Sequence, residues 1–228
     1  MLPTSEPLRY ERKFLITDYS HSEVKQLLKF HPACFSEIFY ERNVNNIYFD
    51  TLGMNHYYDN IEGTTERLKI RIRWYGDLFG NIQKPVLEYK IKKGLLGKKK
   101  SYSLNPFILD NKFNKQQIIT SINNKIIPQL IKDEVVSLNP VLLNCYTRNY
   151  FLSADKNFRI TIDHHLNYYG IGYTENTFCN RYVDHKTIVL ELKYDSSLEN
   201  DAKEVGNLLP FALTKSSKYL QGLDRIFV

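Results

Sequence analysis

Charged and apolar positions alternate without a break over residues 67–76. Arg67, Lys69, Arg71 and Arg73 share one face, and Leu68, Ile70, Ile72 and Trp74 share the other. Successive side chains of a strand point to opposite faces, so the pattern predicts a strand with one basic and one apolar side. Standing alone, it fits an ordinary strand with a solvated basic face. The pattern recurs, however. Residues 9–16 set Arg9, Glu11 and Lys13 against Tyr10, Phe14 and Ile16, with Arg12 interrupting the apolar side. Residues 86–92 set Glu88, Lys90 and Lys92 against Leu87, Tyr89 and Ile91. Residues 157–163 set Arg159, Thr161 and Asp163 against Phe158, Ile160 and Ile162. Residues 187–194 set Glu191 and Lys193 against Ile188, Leu190 and Leu192. Residues 46–51 and 142–152 add two more strands, the second carrying Tyr146, Arg148 and Tyr150 on one side.

Helical signals separate these strands. Ser20 with Glu23 forms a capping-box pattern, predicting a helix through Val24, Leu27 and Leu28 that ends near Pro32. Residues 114–132 carry Ile118, Ile119, Ile122, Ile126 and Leu130 near helical spacing, with Pro128 expected to kink or split them. Residues 199–209 predict a further helix, broken at Pro210. Residues 214–221 begin as a capped turn that places Lys215 and Lys218 on one helix face, with Gly222 as the C-cap. Tyr57 and Tyr58 read as a short aromatic segment, and residues 60–65 as a polar turn. Residues 77–84 read as a loop, 94–97 as a turn into Lys98, Lys99 and Lys100, and Asn139-Pro140 as a turn. Residues 164–184 allow another strand with a long loop. No internal repeat or linker interrupts the chain, so residues 1–228 are expected to form one domain.

The recurring charged faces pose a choice. They face water on an open sheet, or the sheet closes with its charges inward. Two features favour closure. Acids and bases mix at positions two apart, as in Glu88/Lys90 and Glu191/Lys193, and the apolar faces are rich in the large side chains of a helix-covered outer wall. A closed sheet of about eight strands leaves room for side chains or a small ligand. Enclosed positive charge costs several kcal/mol per unpaired ion, so such a lumen should take up a polyanion.

Composition sharpens this. The formal net charge is +6 and the pI about 9.0, which leans towards an anionic partner. The 3 cysteines, Cys34, Cys145 and Cys179, are widely spaced and form no CxxC pair. They predict neither a zinc framework nor disulfides, and point to a reducing cytoplasmic setting. The 6 histidines, including adjacent His164 and His165, suggest no metal cluster and read as loop or surface residues. No apolar run approaches the ~20 residues that span a bilayer, and no signal-peptide run opens the chain. Membrane contact would therefore need a membrane-protein partner. A Gly-flanked lysine run without GxxxxGK[ST] is no P-loop.

Together these segments resemble the catalytic domain of the vacuolar transporter chaperone (VTC) family, among the triphosphate tunnel metalloenzymes of the CYTH-like superfamily. The matching pieces, in the family's order, are residues 10–14, 47–50, 68–76 and 87–90, Arg148 with Tyr150 and Phe151, then residues 159–163, 190–193 and 215–222. The resemblance implies an α+β fold: a closed eight-stranded antiparallel β-barrel tunnel with a charged lumen, flanked by helices. It implies that Lys13, Arg71, Arg73, Lys90, Arg148 and Arg159 line the tunnel as the catalytic, phosphate-gripping set. Lys215 and Lys218 join from the C-terminal helix, and a lysine after the Gly loop is placed at Lys100 or Lys98. Glu191 matches the family's metal-binding glutamate, with Glu11 or Glu88 as further carboxylates for Mn2+ or Mg2+. The structural alternative for Glu191 is a salt bridge to Lys193 or a cross-strand arginine.

The implied activity is polyphosphate polymerisation, with the γ-phosphate of ATP moved onto a chain grown from phosphate or pyrophosphate. There is one departure. The wider superfamily opens with Glu-x-Glu-x-Lys, and here Arg9 replaces the first glutamate. That weakens metal holding and turns the expectation away from triphosphate hydrolysis. Two readings remain beside the polymerase: a metal-dependent triphosphatase of the same fold, and a non-catalytic polyphosphate-binding module. Nucleic acid is not expected as a partner, although Tyr48, Tyr58, Tyr146 and Tyr150 could be recruited to stack bases.

Overall fold

The computed structural model describes residues 9–93, 96–123, 126–172 and 176–227. It is an α+β fold with a large antiparallel sheet. The strands are β1 (Arg9–Ile16), β2 (Ser36–Asp50), β3 (Glu66–Tyr75), β4 (Gly80–Ile82), β5 (Val86–Lys93), β6 (Leu96–Ser103), β7 (Phe107–Leu109), β8 (Asn139–Leu152), β9 (Arg159–Gly170), β10 (Arg181–Asp184) and β11 (Ile188–Asp195). The helices are α1 (His21–Phe30), α2 (Asn55–Glu62), α3 (Lys115–Ile122), α4 (Gln129–Ser137), α5 (Glu199–Asn207) and α6 (Lys218–Phe227). The main sheet is paired in the order β1-β11-β9-β8-β2-β3-β5-β6, with β10 on β9, and β4 and β7 form a separate ribbon. Among the described residues no ladder joins β1 to β6, so the closed barrel expected from the sequence is not closed by hydrogen bonds. The eight-membered path matches the expected strand number, with β10 and the β4–β7 ribbon added to it.

The chain divides into two compact units, which share the long strands β2, β8 and β9. The first comprises Met1–Arg42, Thr147–His165 and Asp184–Ser216. Its core joins Phe14 and Ile16 of β1 to Ile160, Ile162, Leu190 and Leu192, covered by Val24 and Leu28 of α1 and Ala202 of α5. These are the apolar sides of the alternating segments. Arg12, the interruption on that side, is satisfied by Tyr194 and by Glu199 at the start of α5, 2.8 Å away. The capping box of α1 forms as the sequence predicts, Glu23 N donating to Ser20 Oγ and Ser20 N to the Glu23 carboxylate.

The second unit comprises Asn43–Tyr146, Leu166–Val183 and Ser217–Val228. Its core packs Ile47, Phe49, Ile70, Ile72, Trp74 and Leu87 against Ile118, Ile122, Ile131 and Val135 of α3 and α4. Pro128 splits the expected 114–132 helix outright and becomes the N-cap of α4; Asn124 and Lys125 lie outside the described residues, as do Gly94 and Leu95 of the expected 94–97 turn.

Several expectations are corrected. Tyr57 and Tyr58 sit on α2, because the buried Asp50 carboxylate accepts from the backbone N–H groups of His56 and Tyr57 and caps the helix from upstream. Asn139-Pro140 opens β8 instead of forming a turn, a position at the start of a strand that proline tolerates. Gly222 lies inside α6 and is not its C-cap. A Cβ there would meet Leu142 Cδ2 and Tyr168 Cδ1 at 2.5 Å, so the glycine lets α6 approach β8 and β9. Gly222→Ala should therefore destabilise by about 1–3 kcal/mol despite alanine's better helix propensity, read by chemical denaturation. An unchanged midpoint would show that α6 shifts freely.

Candidate functional site

In the first unit the polar side of β1, β11 and β9 is one continuous ionic surface. The register sets Lys13 opposite Glu191, Glu11 opposite Lys193, Glu191 opposite Thr161 and Lys193 opposite Arg159. Glu191 is buried, and cations surround it: Lys13 at 3.1 Å, Lys193 at 2.9 Å and Arg148 at 3.7 Å. Lys13 also meets Glu11 at 2.8 Å. Burial pushes the Lys13 pKa down, but the Glu191 and Glu11 charges outweigh that and hold it above the ordinary lysine value. Arg148 makes a two-point contact with the fully buried Asp163, at 2.5 and 2.6 Å. The Thr161 hydroxyl is buried beside them without a hydrogen-bond partner among the described residues. Arg159 is exposed at the end of this surface.

The second unit carries its own cluster on β3, β5 and β6. Glu88 is buried and meets Arg71 at 2.7 Å, Lys99 at 2.5 Å and Arg73 at 3.7 Å. Burial pushes the Glu88 carboxyl up, but Arg71, Arg73 and Lys99 prevail and hold it down at about 2. Arg71 also donates to the Tyr48 hydroxyl, and Arg73 to Asn46 Oδ1 and the Tyr146 hydroxyl. Lys218 lies 4.8 Å from the Tyr146 ring centroid, over its face, and Lys69 donates to Ser217 Oγ at 2.8 Å. Lys90 is exposed, with Lys69 and Lys99 as its cross-strand neighbours. Asp50, on the same side of β2, is taken up by α2 and by the Tyr219 hydroxyl.

Sequence reasoning misplaced three site features. Lys98 and Lys100 pair with Ile91 and Tyr89, on the opposite face of β6 from Glu88; Lys99, paired with Lys90, is the lysine that reaches the cluster. The strand period of two makes this a one-residue register difference. Lys215 precedes α6 and shares no helix face with Lys218. The chain there is held extended, with Thr214 N donating to the Lys13 carbonyl and Leu213 bridging Phe14. Of the expected carboxylates, Glu11 and Glu191 lie in the first unit with Lys13 between them, and Glu88 belongs to the second. Finally, the histidines are not all loop or surface residues. β9 runs on past residue 163 and buries His164, which with His21 and Glu41 places three ligand atoms within 4.8 Å of one another. Burial, His21 and His165 push the His164 pKa down to about 4. Asp163, Lys99 and Lys193 were not picked out as site residues, although Asp163 and Lys193 sit at alternating polar positions.

These features define a class: an antiparallel-sheet protein whose polar face carries arginines and lysines around buried carboxylates. The chain belongs to the VTC domain family, whose domain matches residues 8–227. No curated protein matches the sequence. Among solved structures, the chain is similar to a putative adenylate cyclase from Bacillus halodurans, with a TM-score of 0.54 and 14% identity over 97% of this chain and 98% of that one. It is also similar to a putative adenylate cyclase from Vibrio parahaemolyticus, with a TM-score of 0.52 and 11% identity over 96% and 99%. At these identities the likeness is one of fold.

The family's fold is divalent-metal-dependent, so the carboxylates must be tested against such an ion. Both Glu191 oxygens already face cations. Mg2+ ordinarily takes one or two carboxylates beside phosphate oxygens; Glu191 and Glu11 are such a pair by number and chemistry, and both are shared here with Lys13. No described helix is long and apolar enough to cross a membrane.

Proposed function

We propose that this chain is a polyphosphate polymerase that moves the γ-phosphoryl group of ATP onto a growing phosphate chain. The observation that carries this reading is the surplus of cations on the polar faces. Lys69, Arg71, Arg73, Lys90, Lys99 and Lys218 share the surroundings of Glu88, and Lys13, Arg148, Arg159 and Lys193 those of Glu11, Asp163 and Glu191. Surplus charge of one sign on a shared face is stabilised by a bound polyanion. Closure of the sheet into an eight-stranded tunnel within a single functional domain is part of the proposal, since it would bring the ionic faces around one phosphate chain.

Phosphoryl transfer asks the protein for positioning and charge neutralisation above all. Arg71, Arg73 and Arg148 suit two-point contact with phosphate oxygens, whereas Lys13, Lys90 and Lys99 act as movable charges. Arg159, Lys215 and Lys218 would extend the grip along the chain. A bound Mn2+ or Mg2+ supplies further neutralisation on the triphosphate, with Glu191 as its principal protein carboxylate and Glu11 or Glu88 as further ones. The acceptor is phosphate, pyrophosphate or the growing chain. The three free thiols support a reducing cytoplasmic setting, and a membrane-protein partner would be needed for any export.

Incubation with ATP and Mn2+, followed by sizing of the products on a gel, tests the proposal. Long acid-labile chains with release of ADP are expected. Orthophosphate alone would transfer the reading to a triphosphatase, and no turnover would leave a polyphosphate-binding module.

A further inference from the structure

A second cluster lies within the first unit, on α1, β2 and β9. His21 opens α1, Glu41 sits on β2 and His164 on β9. The two imidazoles stack with centroids 3.8 Å apart, and His164 Nε2 lies 3.3 Å from Glu41 Oε2. We propose that His21, Glu41 and His164 form a binding site for a single zinc-class divalent ion, separate from the carboxylates assigned to the triphosphate.

Three features support it. The first is the donor set. Two imidazoles and one carboxylate are a common three-ligand set for Zn2+, which leaves a fourth position open. Oxygen-seeking Mg2+ is disfavoured by the same donors. The second is spacing. Two ligands bound at about 2.0–2.1 Å and tetrahedral angles stand roughly 3.3 Å apart, as the His164 nitrogen and the Glu41 oxygen do. Glu41 is 48% exposed, so an ion can reach the site from solvent.

The third feature is tautomer control. Asn149 Nδ2 donates to Glu37 Oε1 at 2.8 Å, and a carboxylate can only accept. Asn149 Oδ1 therefore faces His21 Nε2, at 2.9 Å, and that nitrogen carries the hydrogen. His21 Nδ1 is left with its lone pair. Metal-ligating histidines are held in this way, donating the other ring N–H to a carbonyl or carboxylate oxygen. The chain Glu37–Asn149–His21 thus reproduces the outer support of a metal site. His164 Nδ1, buried and without a partner among the described residues, leaves that ring no competing anchor. An ion lies in the plane of each imidazole it binds, so binding opens the stacked rings towards it.

The test uses the full chain, metal-free, titrated with Zn2+ against a chromophoric chelator, with Co2+ as a spectroscopic substitute. One equivalent of Zn2+ should bind, and the Co2+ form should show the intense visible absorption of a four-coordinate ion. Glu41→Gln, at an exposed position, and His21→Asn should each weaken binding at least about tenfold. Glu191→Gln should keep the Zn2+ equivalent, which separates this site from the triphosphate site whatever the enzymatic outcome. The proposal is overturned if the wild-type chain takes up no stoichiometric Zn2+. It is equally overturned if Co2+ gives only the pale spectrum of a six-coordinate ion, if both ligand variants bind undiminished, or if Glu191→Gln abolishes the equivalent.

Discussion

Asp163→Asn is expected to destabilise the protein by about 3–5 kcal/mol, measured by urea or guanidinium unfolding. Asp163 is fully buried and takes the Arg148 guanidinium in two contacts, at 2.5 and 2.6 Å. Asparagine nearly preserves the shape but removes the charge, and its amide turns at least one N–H towards a group that only donates. Arg148 is itself only 8% exposed, so water cannot replace the lost partner. Its other anion, Glu191, stands further off at 3.7 Å and is shared with Lys13 and Lys193. Against a typical total stability of about 5–15 kcal/mol this is a large fraction. Inorganic tripolyphosphate should restore part of the loss if Arg148 grips phosphate, because a ligand that binds only the folded state stabilises it. A loss below about 1 kcal/mol would mean that the guanidinium finds full compensation elsewhere.

The same pair marks how far the sequence could be read. The alternation at Arg159, Thr161 and Asp163 was visible, and so was the polar face it forms. That Asp163 is the carboxylate committed to Arg148 was not, because alternation fixes the face of a residue but not its partner on another strand. Lys99 fails for a related reason. A run of three lysines carries no alternation of its own, so only pairing with β5 decides that Lys99, and not Lys98 or Lys100, faces Glu88. Strands β1, β3, β5, β9 and β11 were legible because each has one wet and one greasy side. Helix α2 was not, since its cap is Asp50, several residues upstream of the first turn. The histidine cluster joins residues separated by more than a hundred positions, and no local spacing could announce it.

Glu191→Gln is expected to lower metal-dependent turnover of ATP at least about 100-fold while leaving the fold intact. Three cations surround this carboxylate, and the substitution separates two roles of Glu191. As a counter-ion, Glu191 holds Lys13, Lys193 and Arg148 in place before substrate arrives. As a ligand, its role under the proposed function, it would hold the divalent ion on the triphosphate. A purely structural carboxylate would show its loss in unfolding free energy and in the apparent affinity for ATP, with the maximal rate retained. A metal-holding carboxylate would show it in the maximal rate and in a raised Mn2+ requirement that excess ATP does not relieve. Turnover measured across a Mn2+ series, beside denaturation of the same variant, distinguishes the two. Full activity at every Mn2+ concentration would remove Glu191 from the reaction and leave it a salt bridge within the β1–β11–β9 surface.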